Sequence, residues 1–273
     1  MVSPADAVAG AGHTHDHGPA PGHAPDNDHA HGGRSPHDND HAHHDGNPHV
    51  HAHEQDGHIV LLEQRVLAKN DLQAQRNRAW LSERRICVVN LMSAPGSGKT
   101  TLLERTIREL GTRLGLSVIE GDQETLLDAE RIRATGCQVV QINTGAGCHL
   151  DAEMMERGLR ELDPAAGSLV IVENVGNLVC PALFDLGETY RVVVTAVTEG
   201  ADKPLKYPQM FRGADLVVLN KAELLPYLDV EAAHFAANVS LVNPGADMVT
   251  VSATRGDGMT AWYDRLAALV PGS

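Results

Sequence analysis

The sequence predicts an α/β fold, a mainly parallel sheet flanked by helices on both faces and preceded by a disordered His-rich tail. Three observations carry this reading. Short apolar, β-rich segments alternate with helical patterns from Arg85 onward, which is how βαβ units read in sequence. Between the first such segment and the first such helix lies Ser93-Ala94-Pro95-Gly96-Ser97-Gly98-Lys99-Thr100, a strand-to-helix loop. Residues 1–58 hold 14 of the 16 histidines and almost no large apolar side chain, so they cannot offset the entropy of ordering.

Within residues 1–58, Asp26-Asn27-Asp28-His29-Ala30-His31 recurs as Asp38-Asn39-Asp40-His41-Ala42-His43. Imidazoles alternating along a flexible chain suit Ni²⁺, Zn²⁺ or Cu²⁺ in several interchangeable ways. The candidate ligands are His13, His15, His17, His29, His31, His41, His43, His44, His49, His51 and His53. Residues 59–84 then shift to Leu, Gln, Arg and Lys, with Val66, Leu67, Leu72 and Trp80 among charges. This predicts an amphipathic helix that packs on the domain and carries the tail.

The remaining residues, 85–273, are expected to form one domain with strands at 86–92, 117–119, 138–142, 169–172, 191–197, 216–219 and 248–251. The helix after the loop shows Leu103, Ile107, Leu110 and Leu114 on one stripe, and the last helix shows Met259, Trp262, Leu266 and Leu269. In such a sheet the ligand loops gather at the carboxyl ends of the strands.

Composition narrows the partners. The formal net charge is −14, of which residues 1–58 supply −8 from nine acids and one arginine, so polyanions such as nucleic acid or an anionic membrane are disfavoured. The four cysteines show no disulfide-framework spacing, no run of 18 apolar residues occurs, and the start lacks the basic-then-apolar order of a secretory signal. A cytoplasmic protein is expected.

The chemistry concentrates in loops. Gly96 and Gly98 let consecutive N–H groups converge on a phosphate, Lys99 adds charge near the β- and γ-phosphates, and Thr100 suits a Mg²⁺ ligand. Ser97 and Thr101 complete the cradle, and the domain reads as a P-loop NTPase although Ser93 stands where the general pattern has Gly. Glu173 and Asp122, each closing a strand, are candidates to reach Mg²⁺ or position water, which makes Lys99, Asp122 and Glu173 the expected catalytic set. The Gly176 N–H is placed to meet a γ-phosphate.

Asn220-Lys221-Ala222-Glu223 resembles the guanine-reading N-K-x-D element of GTPases, with Glu in place of Asp, and Ser252-Ala253-Thr254 resembles the loop that supports the base. GTP is the expected nucleotide. Gly147-Cys148-His149-Leu150-Asp151 and the segment ending in Cys180-Pro181 follow two further strands. A thiolate–imidazole pair plus a second thiolate suits Zn²⁺ or Ni²⁺, while the same residues also read as a helix start with a reactive thiol and a buried thiol. Cys87 and Cys137 lie in or beside apolar strands and read as core.

Together the phosphate loop, G-C-H-L-D, E-N-V-G-N-L-V-C-P at 173–181, T-E-G-A-D-K-P-L-K-Y-P at 198–208 and N-K-A-E-L-L-P-Y at 220–227 resemble the HypB family of hydrogenase nickel-incorporation GTPases over about residues 59–273. The C-P-H metal motif of the related urease accessory GTPases is absent. The resemblance implies a GTP-dependent metallochaperone that dimerises with GTP bound. Its nickel or zinc ligands would be Cys148, His149 and Cys180, and its partners a HypA-type nickel protein, a SlyD-type chaperone and the large-subunit precursor of [NiFe] hydrogenase. Some members carry an N-terminal cysteine-rich nickel motif, but here no cysteine precedes Cys87, so further nickel capacity falls to the tail. A nickel store or a urease-type accessory GTPase is the alternative.

Overall fold

Residues 50–122, 127–145 and 147–270 are described by the computed structural model, with side chains from residue 64. The tail ligands His13 to His49 and the expected disorder lie outside the described residues, as do the side chains of His51 and His53.

All seven expected strands form: β1 Cys87–Ser93, β2 Ser117–Asp122, β3 Gln138–Asn143, β4 Leu169–Glu173, β5 Tyr190–Ala196, β6 Leu216–Asn220 and β7 Asp247–Thr250. They make one sheet in the order β3-β2-β4-β1-β5-β6-β7, and each adjacent pair is parallel. The helices are α1 Val50–Arg84, α2 Lys99–Leu114, α3 Leu127–Arg133, α4 Ala152–Leu162, α5 Cys180–Leu183, α6 Lys203–Lys206, α7 Pro208–Arg212, α8 Ala232–Val242 and α9 Met259–Leu269.

Because successive strand residues point to opposite faces, Val88 and Val89 enter different cores. Val89, Leu91, Ile171 and Val194 pack with Leu103 and Ile107 of α2 and Trp262 of α9. Val88, Val170 and Val172 pack with Met155 and Leu159 of α4 and Leu81 of α1. Farther along that second face, Val193 and Val217 meet Phe211 and Phe235. Strands apolar on both sides therefore require the two helix layers that are present.

Helix α1 departs from the expected pattern in two ways. It begins at Val50, inside the stretch assigned to the tail. Its apolar residues Val66 and Leu72 are exposed, whereas Asn70, Ala74, Asn77 and Leu81 form the buried stripe. Polar side chains do the docking. Asn70 accepts from Ala152 N and donates to Asp185 O, and Asn77 donates to Ala152 O and Leu186 O at 2.8–3.0 Å. Gly187, at φ +86°, lets the backbones close, since a Cβ there would lie 2.6 Å from Ala74 O. A stripe of asparagines is invisible to hydrophobic periodicity, which is why the wrong face looked buried.

Candidate nucleotide and metal site

The loop after β1 turns into α2 through Gly98, at φ +90°, where a Cβ would sit 2.6 Å from the Asn220 amide nitrogen. Only glycine meets both constraints. Lys99 is buried and donates to the Ser93 hydroxyl at 2.7 Å, so the serine standing in place of the usual glycine holds the ammonium. Desolvation lowers the Lys99 pKa, against the pull of Glu173 and other carboxylates.

Gly96 through Thr101 line an open cavity of about 540 Å³, together with Asp122, Glu173, Gly176 and Lys221, a size within the range of small-ligand pockets. The Thr100 hydroxyl donates to Glu173 Oε1 at 2.7 Å, and Glu173 Oε2 is buried with no protein partner. A hydroxyl beside an orphaned carboxylate oxygen is the donor set of a hard dication, so these residues fit Mg²⁺. Burial pushes Glu173 up, with Lys99 and Thr100 pulling the other way. Asp122 ends β2 at the rim of the same cavity. Gly176 lies against the loop itself, its Cβ direction 3.2 Å from Pro95 Cα.

The segments expected to read the base converge on the same loop from the other side. Asn220 donates to Ser97 O and accepts from Ala253 N, and Lys221 donates to Gly96 O at 2.7 Å. Thr254 donates to Glu223 at 2.8 Å, with the Ser252 hydroxyl 3.3 Å from that of Thr254. Burial works to raise the Glu223 carboxyl, but hydrogen bonds from Ser252, its own backbone and Thr254 outweigh it and hold it below the ordinary range. An ionised acceptor pair is thus fixed beside Ala253.

Cys148, His149 and Cys180 come together as the sequence suggested, their ligand atoms all within 4.8 Å and half-buried. The Cys148 and Cys180 sulfurs are 2.6 Å apart, and Cys148 Sγ is 3.7 Å from His149 Nδ1. Asn177 Oδ1 accepts from Val179 N and Cys180 N, which sets the turn that presents Cys180. Phe184 stacks on the His149 ring at 3.8 Å between centroids. Burial lowers the imidazole pKa despite Asp151, favouring the neutral, ligating form, and the hydrogen bond with Cys148 raises the Cys180 thiol. Cys87 is buried and Cys137 half-buried against the core, as expected, and burial pushes Cys137 up to about 11.

Several contributors lay beyond the sequence reading. Glu199, in the 198–208 run, accepts from the Ser97 hydroxyl at 2.6 Å and from Ala196 N, and pairs with Lys203 at 3.0 Å. Glu120 pairs in register with Glu173, and burial together with that neighbour pushes it up to about 8. An acid directly after the buried Val118-Ile119 pair was the available signal. Arg131 reaches the cavity rim, held by Glu104 and Asp128.

Residues 87–250 match the family model described as CobW/HypB/UreG, nucleotide-binding domain. The hydrogenase maturation factor HypB of Rhizobium leguminosarum bv. viciae is 55% identical over 205 residues, which cover 75% of this chain and 69% of the relative. The crystal structure of hydrogenase maturation factor HypB from Archaeoglobus fulgidus matches with TM-score 0.69 and 41% identity, covering 74% of this chain and 98% of that one. HypB from Helicobacter pylori in complex with nickel gives TM-score 0.69 and 35% identity over 73% and 94%. With sequence and fold agreeing across the α/β domain, the chain belongs to the CobW/HypB/UreG family and, within it, to HypB.

Proposed function

We propose that the chain is a GTP-hydrolysing nickel metallochaperone that delivers Ni²⁺ to the large-subunit precursor of [NiFe] hydrogenase during maturation. The observation that carries this reading is the meeting of Cys148, His149 and Cys180 within 4.8 Å, on loops at the same sheet edge as the phosphate loop. Cys180 follows Gly176 by four residues, so a shift at the γ-phosphate moves a metal ligand.

In this reading the N–H groups of residues 96–100 and the Lys99 ammonium hold the triphosphate and stabilise charge as the bond between the γ-phosphorus and its bridging oxygen breaks. Thr100 and Glu173 would hold Mg²⁺, which would supply neutralisation of the phosphate charge. Asp122 or Glu173 orients the attacking water. Glu223 reads the guanine N1–H and amino group, which adenine does not offer. Nickel, or zinc competing for the same soft donors, is the cargo of Cys148, His149 and Cys180, and the tail histidines hold a reserve. GTP binding stabilises a homodimer in the cytoplasm, and a HypA-type protein receives or supplies the metal.

The high histidine content of residues 1–58 favours one second reading, a nickel store with a weakly regulating GTPase domain. The test is hydrogenase maturation in cells whose only copy carries Lys99→Ala. Loss of maturation supports delivery driven by GTP, while normal maturation with unchanged nickel content supports storage.

A further inference from the structure

Asn174 follows Glu173 and precedes the Val175-Gly176 turn, and it is 1% exposed. Its side-chain oxygen accepts two hydrogen bonds, from Val175 N at 2.9 Å and from Leu150 N at 3.2 Å. One N–H belongs to the turn that touches Pro95 of the phosphate loop, and the other directly follows Cys148-His149. A single oxygen therefore holds both the nucleotide-sensing turn and one metal-ligand loop.

The other metal-ligand loop is tied to the same residue. Asn174 Nδ2 donates to Asn90 Oδ1 at 3.3 Å, and Asn90 Nδ2 donates to Glu188 Oε1 at 3.3 Å. Glu188 Oε2 in turn accepts from Leu186 N at 2.7 Å, at the end of the segment that runs on from Cys180 and Phe184. Arg191 Nε fixes the Glu188 carboxylate at 2.6 Å. Asn90 is fully buried in β1 and Glu188 is 6% exposed. Polar side chains placed this deep lose hydration that an apolar residue would not, and what they gain is a continuous connection between three loops.

We propose that Asn174 is the positioning residue through which the occupant of the nucleotide loop sets the geometry of the Cys148–His149–Cys180 site. The proposal rests on the reading of that trio as a nickel site coupled to GTP, and it identifies the coupling element. A triphosphate that draws the Val175–Gly176 peptide toward itself takes Val175 N–H from the shared oxygen. The bond to Leu150 N and the Asn90–Glu188 arm then readjust together, and the two ligand loops move relative to each other. Packed polar networks with two discrete arrangements transmit shifts in this way.

The experiment measures the Ni²⁺ dissociation constant of the full chain by chelator competition, with GDP and with a non-hydrolysable GTP analogue, and takes the ratio. Wild type is compared with Asn174→Ala and Asn90→Ala. The expected result is a wild-type ratio well away from one, a ratio within about twofold of one for Asn174→Ala, and an intermediate ratio for Asn90→Ala, which keeps both backbone bonds of Asn174. Nucleotide affinity and the nickel–thiolate absorption in GDP are expected to stay near wild type, since a purely structural role would weaken both nucleotide states alike. A wild-type ratio retained in Asn174→Ala overturns the proposal and leaves the nickel-site reading intact. If Asn174→Ala does not fold, a full ratio in Asn90→Ala overturns it. A wild-type ratio of one removes both the coupling and the reading beneath it.

Discussion

Thr100 and Glu173 share a 2.7 Å hydrogen bond, and the second Glu173 oxygen is buried beside it with no protein partner. Glu173→Gln preserves that shape and removes the charge. Hydrolysis of GTP is expected to fall by about 100-fold or more, the scale of losing one preorganised electrostatic group, and to stop responding to Mg²⁺ concentration. Binding of GDP without Mg²⁺ is expected to change little. Phosphate release followed across a Mg²⁺ titration checks this, and an unchanged rate would remove Glu173 from the site.

Hydrogen bonds from Ser252 and Thr254 help hold Glu223 below the ordinary carboxyl range, and in the proposed function it is the discriminator against adenine. Glu223→Ala is expected to shrink the preference for GTP over ATP by about 10- to 100-fold, corresponding to one hydrogen bond to a charged group. Competition between the two nucleotides for a fluorescent analogue measures the ratio directly. A preference that survives the substitution would place base selection elsewhere.

If Cys148, His149 and Cys180 hold nickel as proposed, Cys180→Ser is a sharper lesion than its size suggests. Loss of even an outer partner of a metal ligand costs about 10- to 100-fold in affinity, so loss of a thiolate is expected to cost at least that at this site. In the proposed reading the tail holds a separate class of ions, which Cys180→Ser is expected to leave alone. Equilibrium dialysis of wild type and variant resolves the two classes, and identical isotherms would contradict the assignment.

Helix α1 gives a prediction about acid. Arg78 bridges Asp185 at 2.8 and 2.9 Å. Burial works to raise the Asp185 carboxyl, but hydrogen bonds from Arg78 and Gly187 N outweigh it and keep its pKa below the ordinary value. A depressed carboxyl stabilises the folded form above its unfolded pKa, and that stabilisation disappears as pH falls through the lower folded value. The docked α1 is therefore expected to loosen below about pH 4 by up to about 1 kcal/mol, since both side chains are partly exposed. Fluorescence of Trp80 against pH, with Asp185→Asn as the variant lacking the transition, reads it out.

Gly187→Ala tests the same docking by shape. The added methyl meets Ala74 O and Asn77 at a backbone φ of +86°, a combination expected to cost about 1–3 kcal/mol. Thermal unfolding is expected to show the loss, and an unchanged melting temperature would mean that α1 does not seat on this loop.

The strands and the phosphate loop were legible because their signals are local: apolar runs of fixed length, and glycines spaced about a lysine. Cys148 and Cys180 were legible as soft donors, and their meeting followed from parallel strands that bring both loops to one edge. The face of α1 was misread because Asn70 and Asn77 bury polarity that is satisfied only by Ala152, Asp185 and Leu186, far along the chain. Glu199, Asn174 and Glu188 were illegible for the same reason. A buried polar residue gains its purpose from a partner that sequence spacing does not supply.

The long reach of the Asn77–Leu186 bond also sets an order of events during synthesis. The two residues are 109 positions apart, which at about 5–20 residues per second of translation leaves α1 without its seat for roughly 5–20 seconds. Seating of α1 waits on the loop that follows Cys148 and Cys180, so a nascent chain completes its phosphate loop before the helix ahead of it is fixed.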